Sequence, residues 1–293
     1  MRLINIVFLA ILFSIAKNFA QVFEIDYYSG PNYEFAKFRV WIPKTGDGIR
    51  AMLVIMPGFN IDGRNEINDR AWREFAIKNN FGIVATYFKD YEGYVSFYRD
   101  AKSGSGEALI NAISEVSLKS GLSKIKNVPL VMWGISAGGQ FNYEFACWKP
   151  EKVLTFVVNK GGYYNTCIAP DSARKIPAIF YIGESDEYYR KDIIKGIFSL
   201  NRKVGSNWTL VSEKNTNHEV GISKTLSLEF FKDVIPLRLS PDNKLIDISE
   251  NEYYLGNWET KKIRPCKGMV YCDTLTVWLP NHEFASTWEK LYE

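Results

Sequence analysis

The stretch Asn127–Phe145, NVPLVMWGISAGGQFNYEF, places an apolar block, a glycine-framed serine and a helical pattern one after another. The apolar block is short, which is typical of a strand buried on both faces. The residues from Gly134 to Gly138 have the form G-x-S-x-G, with Ser136 at the centre. Glycines here allow a tight strand-to-helix turn that lifts a serine hydroxyl clear of a sheet. The alternative is an ordinary serine that caps the following helix.

Apolar runs and helical patterns alternate along most of the chain. The early runs VFEIDYY (22–28) and EFAKFRVWIP (34–43) alternate apolar with polar residues, which predicts half-exposed antiparallel strands. From Ala51 onward the predicted strands are AMLVIMP, GIVATYF, VPLVMWG, VLTFVVN, PAIFYIG and WTLVSEK. Helices are predicted between them, at roughly 66–79, 106–120, 138–148, 187–204 and 223–234. The alternation predicts an α/β fold with a mostly parallel central sheet and helices on both faces.

Ligands of such a sheet bind beyond the carboxyl ends of the strands, so the residues after each strand are the candidates for chemistry. A nucleophilic serine needs a general base, ordinarily a histidine, which a carboxylate orients. The chain has two histidines. His218 follows the strand WTLVSEK, at the edge where Ser136 lies, and we expect it to be the base. His282 lies near the C-terminus, and we expect a capping or surface role for it.

The carboxylate partner is expected between the serine and the histidine in the chain, at the end of a strand. Asp186, in PAIFYIGESDEYY, meets both conditions. Asp186 could instead cap the next helix, and Glu184 and Glu187 are neighbouring competitors.

Acyl transfer to a serine also needs backbone N–H groups that bind the oxyanion. One is expected from Ala137, directly after Ser136. The second is expected from Phe59, in the loop MPGFNIDGR after the strand that begins at Ala51. A plain turn at Gly58 is the alternative.

The motifs PGFNIDGR, GISAGG, GESD and NTNHEVG, in this order, resemble the α/β-hydrolase superfamily over roughly residues 24–236. The sequence is most similar to secreted feruloyl and acetylxylan esterases and to extracellular polyhydroxyalkanoate depolymerases. The resemblance implies a catalytic triad of Ser136, Asp186 and His218, with Phe59 and Ala137 at the oxyanion hole. In polyester hydrolases a methionine commonly follows the nucleophile. Ala137 stands at that position here, which argues against cutinase-like specificity.

The chain has 293 residues, 46% of them apolar and 24% charged, and a net charge of +3 without a basic cluster, so no nucleic-acid partner is expected. Its N-terminus, MRLINIVFLAILFSIAKNFAQ, has a basic residue, a short apolar run and small residues, which predicts a signal peptide over 1–20 and a secreted or periplasmic protein. Cleavage after Ala16 is an alternative to cleavage after Ala20. An uncleaved anchor is disfavoured because the run is shorter than the roughly 20 residues that span a membrane, and no stable membrane insertion is expected after cleavage.

Export favours pairing of the four cysteines. Cys266 and Cys272 are close in RPCKGMVYC, which leaves Cys147 to pair with Cys167. The alternative is that Cys147 is a small buried apolar residue. The spacing of histidines and cysteines gives no zinc pattern, and no metal or cofactor is expected.

The expected organisation is a catalytic domain over 21–236 and a C-terminal extension over 237–293. The extension contains Trp258, Trp278 and Trp288, a cysteine loop and a final helix from about Asn281, and no strands are predicted in it. We expect the tryptophans to pack the extension on the catalytic domain. A sugar-binding platform is the alternative.

The segment KGGYYNTCIAPDSARKI (160–176) is too short for a cap domain, which predicts an open cleft suited to polymer-borne esters. Aromatic residues near the strand ends are suited to bind sugar rings or an aromatic acyl group, although 15% of the whole chain is aromatic. The residues predicted to contact substrate are Tyr87, Tyr163, Tyr164 and Tyr188. The expected substrates are acetyl or hydroxycinnamoyl esters on polysaccharide. The alternatives are a polyester depolymerase, a serine peptidase or amidase, and an inactive carbohydrate-binding protein.

Overall fold

The structure, a computed structural model, describes residues 20–44, 48–248, 253–266 and 274–293. The main strands are β1 (Gln21–Gly30), β2 (Tyr33–Ile42), β3 (Ala51–Met56), β4 (Phe81–Lys89), β5 (Leu130–Gly134), β6 (Val153–Asn159), β7 (Ala178–Gly183) and β8 (Trp208–Glu213). They form one eight-stranded sheet in the order β1-β2-β4-β3-β5-β6-β7-β8. β2 pairs antiparallel with β1 and β4, and all the other pairs are parallel.

The burial of the strands follows the pattern in the sequence. β1 and β2, which alternate apolar and polar residues, are partly exposed. Every residue of β3, β5, β6 and β7 is buried, so both faces of the central sheet are covered. The predicted fold class, a mostly parallel sheet enclosed by helices, is confirmed.

The helices are α1 (Arg70–Asn79), α2 (Ser105–Ser120), α3 (Ala137–Trp148), α4 (Asp171–Arg174), α5 (Tyr188–Lys203), α6 (Ser223–Arg238) and α7 (His282–Lys290). The helix expected over 66–79 is divided. A 3₁₀ turn, Arg64–Asn68, comes first, and α1 begins after Asp69, whose carboxylate accepts the Trp72 N–H at 3.1 Å.

Between β6 and β7 the only helix is the four-residue α4, so the described segment 160–176 forms no cap domain.

The C-terminal segment contains strands that the sequence analysis did not predict. β9 (Tyr253–Asn257), β10 (Ile263–Cys266) and β11 (Thr276–Leu279) form an antiparallel sheet in the order β10-β9-β11. This small sheet lies against β8. The Trp288 indole donates to the Leu210 carbonyl at 2.8 Å, and the Thr209 hydroxyl donates to the Trp278 carbonyl. Trp278 and Trp288 are buried, so they act as docking residues.

The predicted bridge between Cys147 and Cys167 is not formed, because both residues carry free thiols. Cys147 is partly buried on α3, whereas Cys167 is exposed on the loop after β6. Burial raises the pKa of the Cys147 thiol, which disfavours the thiolate that disulfide formation requires. Cys266 is also a free thiol, and its predicted partner Cys272 lies outside the described residues.

The predicted signal peptide lies outside the described residues, apart from Ala20 at its end. Among the helices of the described ranges, none has both the length and the apolar character needed to cross a membrane.

Candidate active site

Ser136 occupies a strained turn between β5 and α3. Its backbone has φ 55° and ψ −124°, a combination that costs free energy in a residue other than glycine. A Cβ on Gly138 would lie 2.2 Å from the Met56 carbonyl oxygen, and one on Gly134 would lie 2.5 Å from the Gly138 backbone. The backbone segments approach one another so closely that both glycines of the motif are required. Ser136 stands at the N-cap position, but its side chain makes no capping hydrogen bond, so the simple capping alternative does not account for it.

His218 and Asp186 are paired. His218 Nδ1 lies 2.8 Å from Asp186 Oδ2, although the two residues are 32 positions apart in the chain. Asp186 Oδ1 accepts the Glu187 N–H at 2.7 Å and Arg190 Nε at 3.2 Å. Burial raises the pKa of the Asp186 carboxyl, but the hydrogen bonds from His218 and the Glu187 N–H outweigh it and hold the pKa below its usual value.

The alternatives to these two residues lie elsewhere. The Glu184 carboxylate accepts the Ser212 hydroxyl at 3.0 Å, and Glu187 holds the N-cap position of α5. His282 begins α7, with its ring 5.3 Å from the Tyr254 ring. Asp186 therefore orients His218, while the second histidine has a packing partner in the C-terminal segment.

Two segments carry the candidate nucleophile and base: the strained turn at Ser136 (the serine turn) and the loop 214–221, which contains His218 (the histidine loop). Asn159, at the end of β6, connects them. Its carbonyl accepts the Ser136 N–H at 2.7 Å. Its side-chain amide donates to the carbonyls of Glu219 and Val220, directly after His218, at 3.4 and 3.2 Å. Within the described chain, no hydrogen bond joins Ser136 Oγ to His218. Such bonds are often long in an empty site and shorten when substrate is bound.

A buried ion pair closes the base of the histidine loop. Lys160 Nζ contacts Glu213 Oε2, and the two side chains are 0% and 3% exposed. Lys160 also donates to Asn159 Oδ1 at 3.0 Å, and Glu213 Oε1 accepts the Ile222 N–H at 2.7 Å. Since Glu213 and Ile222 flank the loop, this pair fixes both of its ends. The sequence analysis missed Asn159, Lys160 and Glu213, although all three stand at strand ends.

The predicted oxyanion residues are close to Ser136. A Cβ on Gly58 would lie 3.6 Å from Ser136 Cβ, so the loop that carries Phe59 passes beside the serine. The Gly58 carbonyl accepts the Tyr98 hydroxyl at 3.3 Å. Ala137 is the first residue of α3, where a backbone N–H has no acceptor within the helix.

Ser136 lines an open cavity of about 470 Å³, whose lining also includes Phe59, Tyr163, Tyr189, Arg99 and Arg190. Of the four tyrosines predicted to contact substrate, only Tyr163 lies there. Tyr87 packs against Phe35 with ring centroids 4.9 Å apart, Tyr164 donates to the Gly161 carbonyl at 2.8 Å, and Tyr188 lines a different depression. Arg99 and Arg190 were not predicted, and Tyr189 was not among the four.

No protein-family model and no curated protein matches this chain. Solved structures do resemble it. The chain is similar to the poly(3-hydroxybutyrate) depolymerase LpqC from Bordetella parapertussis, with a TM-score of 0.57 and 14% identity over 80% of this chain and 95% of that one. It is also similar to poly(aspartic acid) hydrolase-1 from Sphingomonas sp. KT-1, with a TM-score of 0.54 and 15% identity over 72% and 97% of the two chains. For a ferulic acid esterase, the TM-score is 0.54 with 10% identity over 74% and 97%.

These likenesses establish the fold, which is the α/β-hydrolase fold that the motifs predict. At such low identity they establish nothing about the substrate, so the chemistry rests on the residues around Ser136.

Proposed function

We propose that this protein is a secreted serine esterase that forms an acyl-enzyme on Ser136. The observation that carries the proposal is the placement of the strained serine turn and the 2.8 Å pair of Asp186 and His218 at the carboxyl edge of one sheet. A serine hydroxyl is a weak nucleophile without a base, and the pairing of His218 with the buried carboxylate of Asp186 supports His218 in that role. The names of the similar structures, a depolymerase and a ferulic acid esterase among them, support hydrolysis of an ester.

In the proposed reaction, Ser136 Oγ attacks the ester carbonyl while its proton passes to His218 Nε2. The negative charge on the carbonyl oxygen is bound by the N–H groups of Phe59 and Ala137. Collapse of the tetrahedral intermediate breaks the bond to the alcohol, which takes the proton from His218. Water, deprotonated by His218, then releases the acid and restores Ser136. Asp186 stabilises the imidazolium in both halves and is not itself protonated.

We further propose acetyl or hydroxycinnamoyl esters on polysaccharide as substrates, with polyesters the next candidate. The segment 160–176 forms no cap domain, which leaves room for a polymer. The cavity carries exposed aromatic surfaces, because Tyr163 is 56% and Tyr189 54% exposed. Rings held in this way can stack on a sugar or on an aromatic acyl group.

The test measures hydrolysis of 4-nitrophenyl acetate, methyl ferulate, acetylated xylan and a short polyhydroxyalkanoate, together with labelling by a fluorophosphonate. Ser136→Ala should abolish labelling and lower kcat/KM by about 10⁴-fold or more. His218→Ala should be nearly as inactive, whereas its matched control His282→Ala should keep wild-type activity. Asp186→Asn should lose less activity than Ser136→Ala or His218→Ala.

Near-wild-type turnover by Ser136→Ala would refute the mechanism. Equal losses in the two histidine variants would remove the assignment of the base. A clear preference for the polyhydroxyalkanoate would replace the polysaccharide ester as substrate while leaving the mechanism intact.

A further inference from the structure

The charged side chains that line the Ser136 cavity are both cations, Arg99 and Arg190. Among the described lining residues there is no carboxylate. Arg190 already has partners within the protein, because its Nε lies 3.2 Å from Asp186 Oδ1 and its Nη2 donates to the Tyr189 hydroxyl at 3.0 Å. Arg99 is therefore the positively charged side chain of the cavity that is available to bind an anionic group of a substrate.

Arg99 makes no ion pair within the described chain. Its Nη1 donates to the carbonyls of Val95 and Ser96 at 3.2 and 2.6 Å, which fixes the guanidinium in place. Its Nε is shielded from solvent and has no acceptor. A guanidinium has five N–H donors, and the two on Nη2 have no hydrogen-bond acceptor among the described residues and, unlike Nε, are not shielded from solvent.

The positive charge of Arg99 acts on the carboxylate of Asp90, but that group is hydrogen bonded to backbone N–H groups. Its two oxygens accept the N–H groups of Phe97 and Tyr98 at 2.7 and 3.1 Å. Burial raises the pKa of the Asp90 carboxyl, and the positive charge of Arg99 only partly opposes this effect. Asp90 thus holds the loop that carries Arg99 without occupying the guanidinium.

Tyr163 sets the orientation of Arg99. The guanidinium carbon lies 3.9 Å from the centre of the Tyr163 ring, which is the separation of a stacked pair. Gln140 is buried on α3, and when its side-chain amide is assigned so that the oxygen faces the backbone donors, it accepts the N–H groups of Gly162 and Tyr163 at 2.9 and 2.8 Å. The ring covers one face of the guanidinium, and the in-plane N–H groups of Nη2 are left to bind an acceptor in the cavity.

We infer that Arg99 selects esters that carry a carboxylate close to the scissile bond. The inference rests on the proposed esterase function and narrows its substrate class to anionic esters. The carboxylate could belong to the acyl group or to the alcohol, for instance to an acidic sugar. In both cases a charge-assisted hydrogen bond to the fixed guanidinium favours the anion over a neutral group of the same shape.

Two pairs of esters test this inference and separate the two sources of the carboxylate. Monomethyl terephthalate and methyl 4-carbamoylbenzoate differ in charge on the acyl side. 3-Carboxyphenyl acetate and 3-carbamoylphenyl acetate differ on the alcohol side. For each pair, the ratio of kcat/KM for the acid to kcat/KM for the amide is measured at pH 7 in wild type and in Arg99→Gln, Arg99→Lys and Lys102→Gln. Lys102, exposed and outside the cavity, is the control for loss of one positive charge.

In at least one pair, Arg99→Gln should lower this ratio by about 10- to 100-fold, the range expected for a hydrogen bond to a charged group. The kcat/KM for the neutral amide should change much less. Arg99→Lys should keep part of the ratio, and Lys102→Gln should keep all of it. Raising the salt concentration should weaken the wild-type preference, because the cavity is open to solvent. Where turnover is too slow to measure, the carboxylate ester and the carbamoyl ester of each pair are compared by the concentration at which each slows fluorophosphonate labelling of Ser136.

An unchanged ratio in Arg99→Gln for both pairs would overturn the inference, as would an equal loss for acid and amide, which is the result expected if Arg99 only supports the loop. In these cases the esterase proposal stands. Absence of both turnover and labelling in wild type would instead refute the proposed function, and the inference with it.

Discussion

Lys160→Met should be among the most destabilising single substitutions near the site. The ammonium of Lys160 is fully buried against Glu213, whose side chain is 3% exposed. Methionine has a similar length and fills most of the same space, so the main change is the loss of a positive charge. The substitution leaves the Glu213 carboxylate buried beside neutral groups.

The cost follows from the burial of both partners. Breaking a buried pair by removing one charge typically costs about 3–5 kcal/mol, whereas an exposed pair contributes about 0–1 kcal/mol. Because a folded domain is typically stable by about 5–15 kcal/mol, the variant should still fold at 25 °C. Lys160→Met combined with Glu213→Gln should recover a large part of the loss, because Gln is neutral and its oxygen can still accept the Ile222 N–H.

Urea denaturation of the four proteins of this double-mutant cycle measures the free energy of unfolding. The matched control is Lys232→Met, which breaks an exposed pair with Glu283, the side chains being 59% and 75% exposed. A loss of unfolding free energy in Lys160→Met no larger than that in Lys232→Met would refute the reasoning. It would also be refuted if the loss in the double variant equalled the sum of the losses in Lys160→Met and Glu213→Gln.

Two further predictions concern the serine turn and its carboxylate. Gly138→Ala should destabilise the protein by about 1–3 kcal/mol and reduce ester hydrolysis, because the new methyl would overlap the Met56 carbonyl. Gly196→Ala, in α5 with nothing within 4 Å, should instead stabilise it by about 0.4–1 kcal/mol, and thermal unfolding that ranks the two variants the other way would contradict the packing argument. The folded-state pKa of Asp186 lies below its usual 3.8, so the stability it contributes is present above about pH 4 and is lost as the pH falls through the lowered value. The difference in free energy of unfolding between wild type and Asp186→Asn should therefore be larger at pH 6 than at pH 3, and an equal difference at both would count against the pairing with His218.

The sheet and the serine turn could be predicted because their signals are local. A run such as that of β6, apolar throughout, marks a strand buried on both faces wherever it occurs. The glycines around Ser136 report a close backbone approach through residues within the motif itself. The division before α1 was missed because the cap at Asp69 competes with an otherwise continuous helical pattern.

The substrate-contacting tyrosines were harder to predict, because proximity to a strand end does not fix the direction of a side chain. Successive residues of a strand point to opposite faces, so Phe88 enters the core while Tyr87 packs on the other side against Phe35. Arg99 follows β4 by ten residues, beyond the reach of any periodic signal, and it enters the cavity because the loop held by Asp90 folds back.

The buried pair illustrates what local sequence signals cannot provide, since Lys160 and Glu213 are 53 residues apart and meet only in the folded sheet. Such a pair has a kinetic consequence. Asp186 orients the His218 ring, but the position of the loop relative to Ser136 depends on the anchors at its two ends. Within the described chain Ser136 Oγ and His218 are not hydrogen bonded, and such contacts often form only when substrate is bound, so small changes in the position of the loop should affect the proton transfer. A loosened anchor should therefore lower kcat more than it raises KM, because it disturbs the base without touching the cavity that holds the ester. Lys160→Met assayed at a temperature where it is fully folded tests this expectation. An effect confined to KM would show that the pair shapes the binding cavity instead.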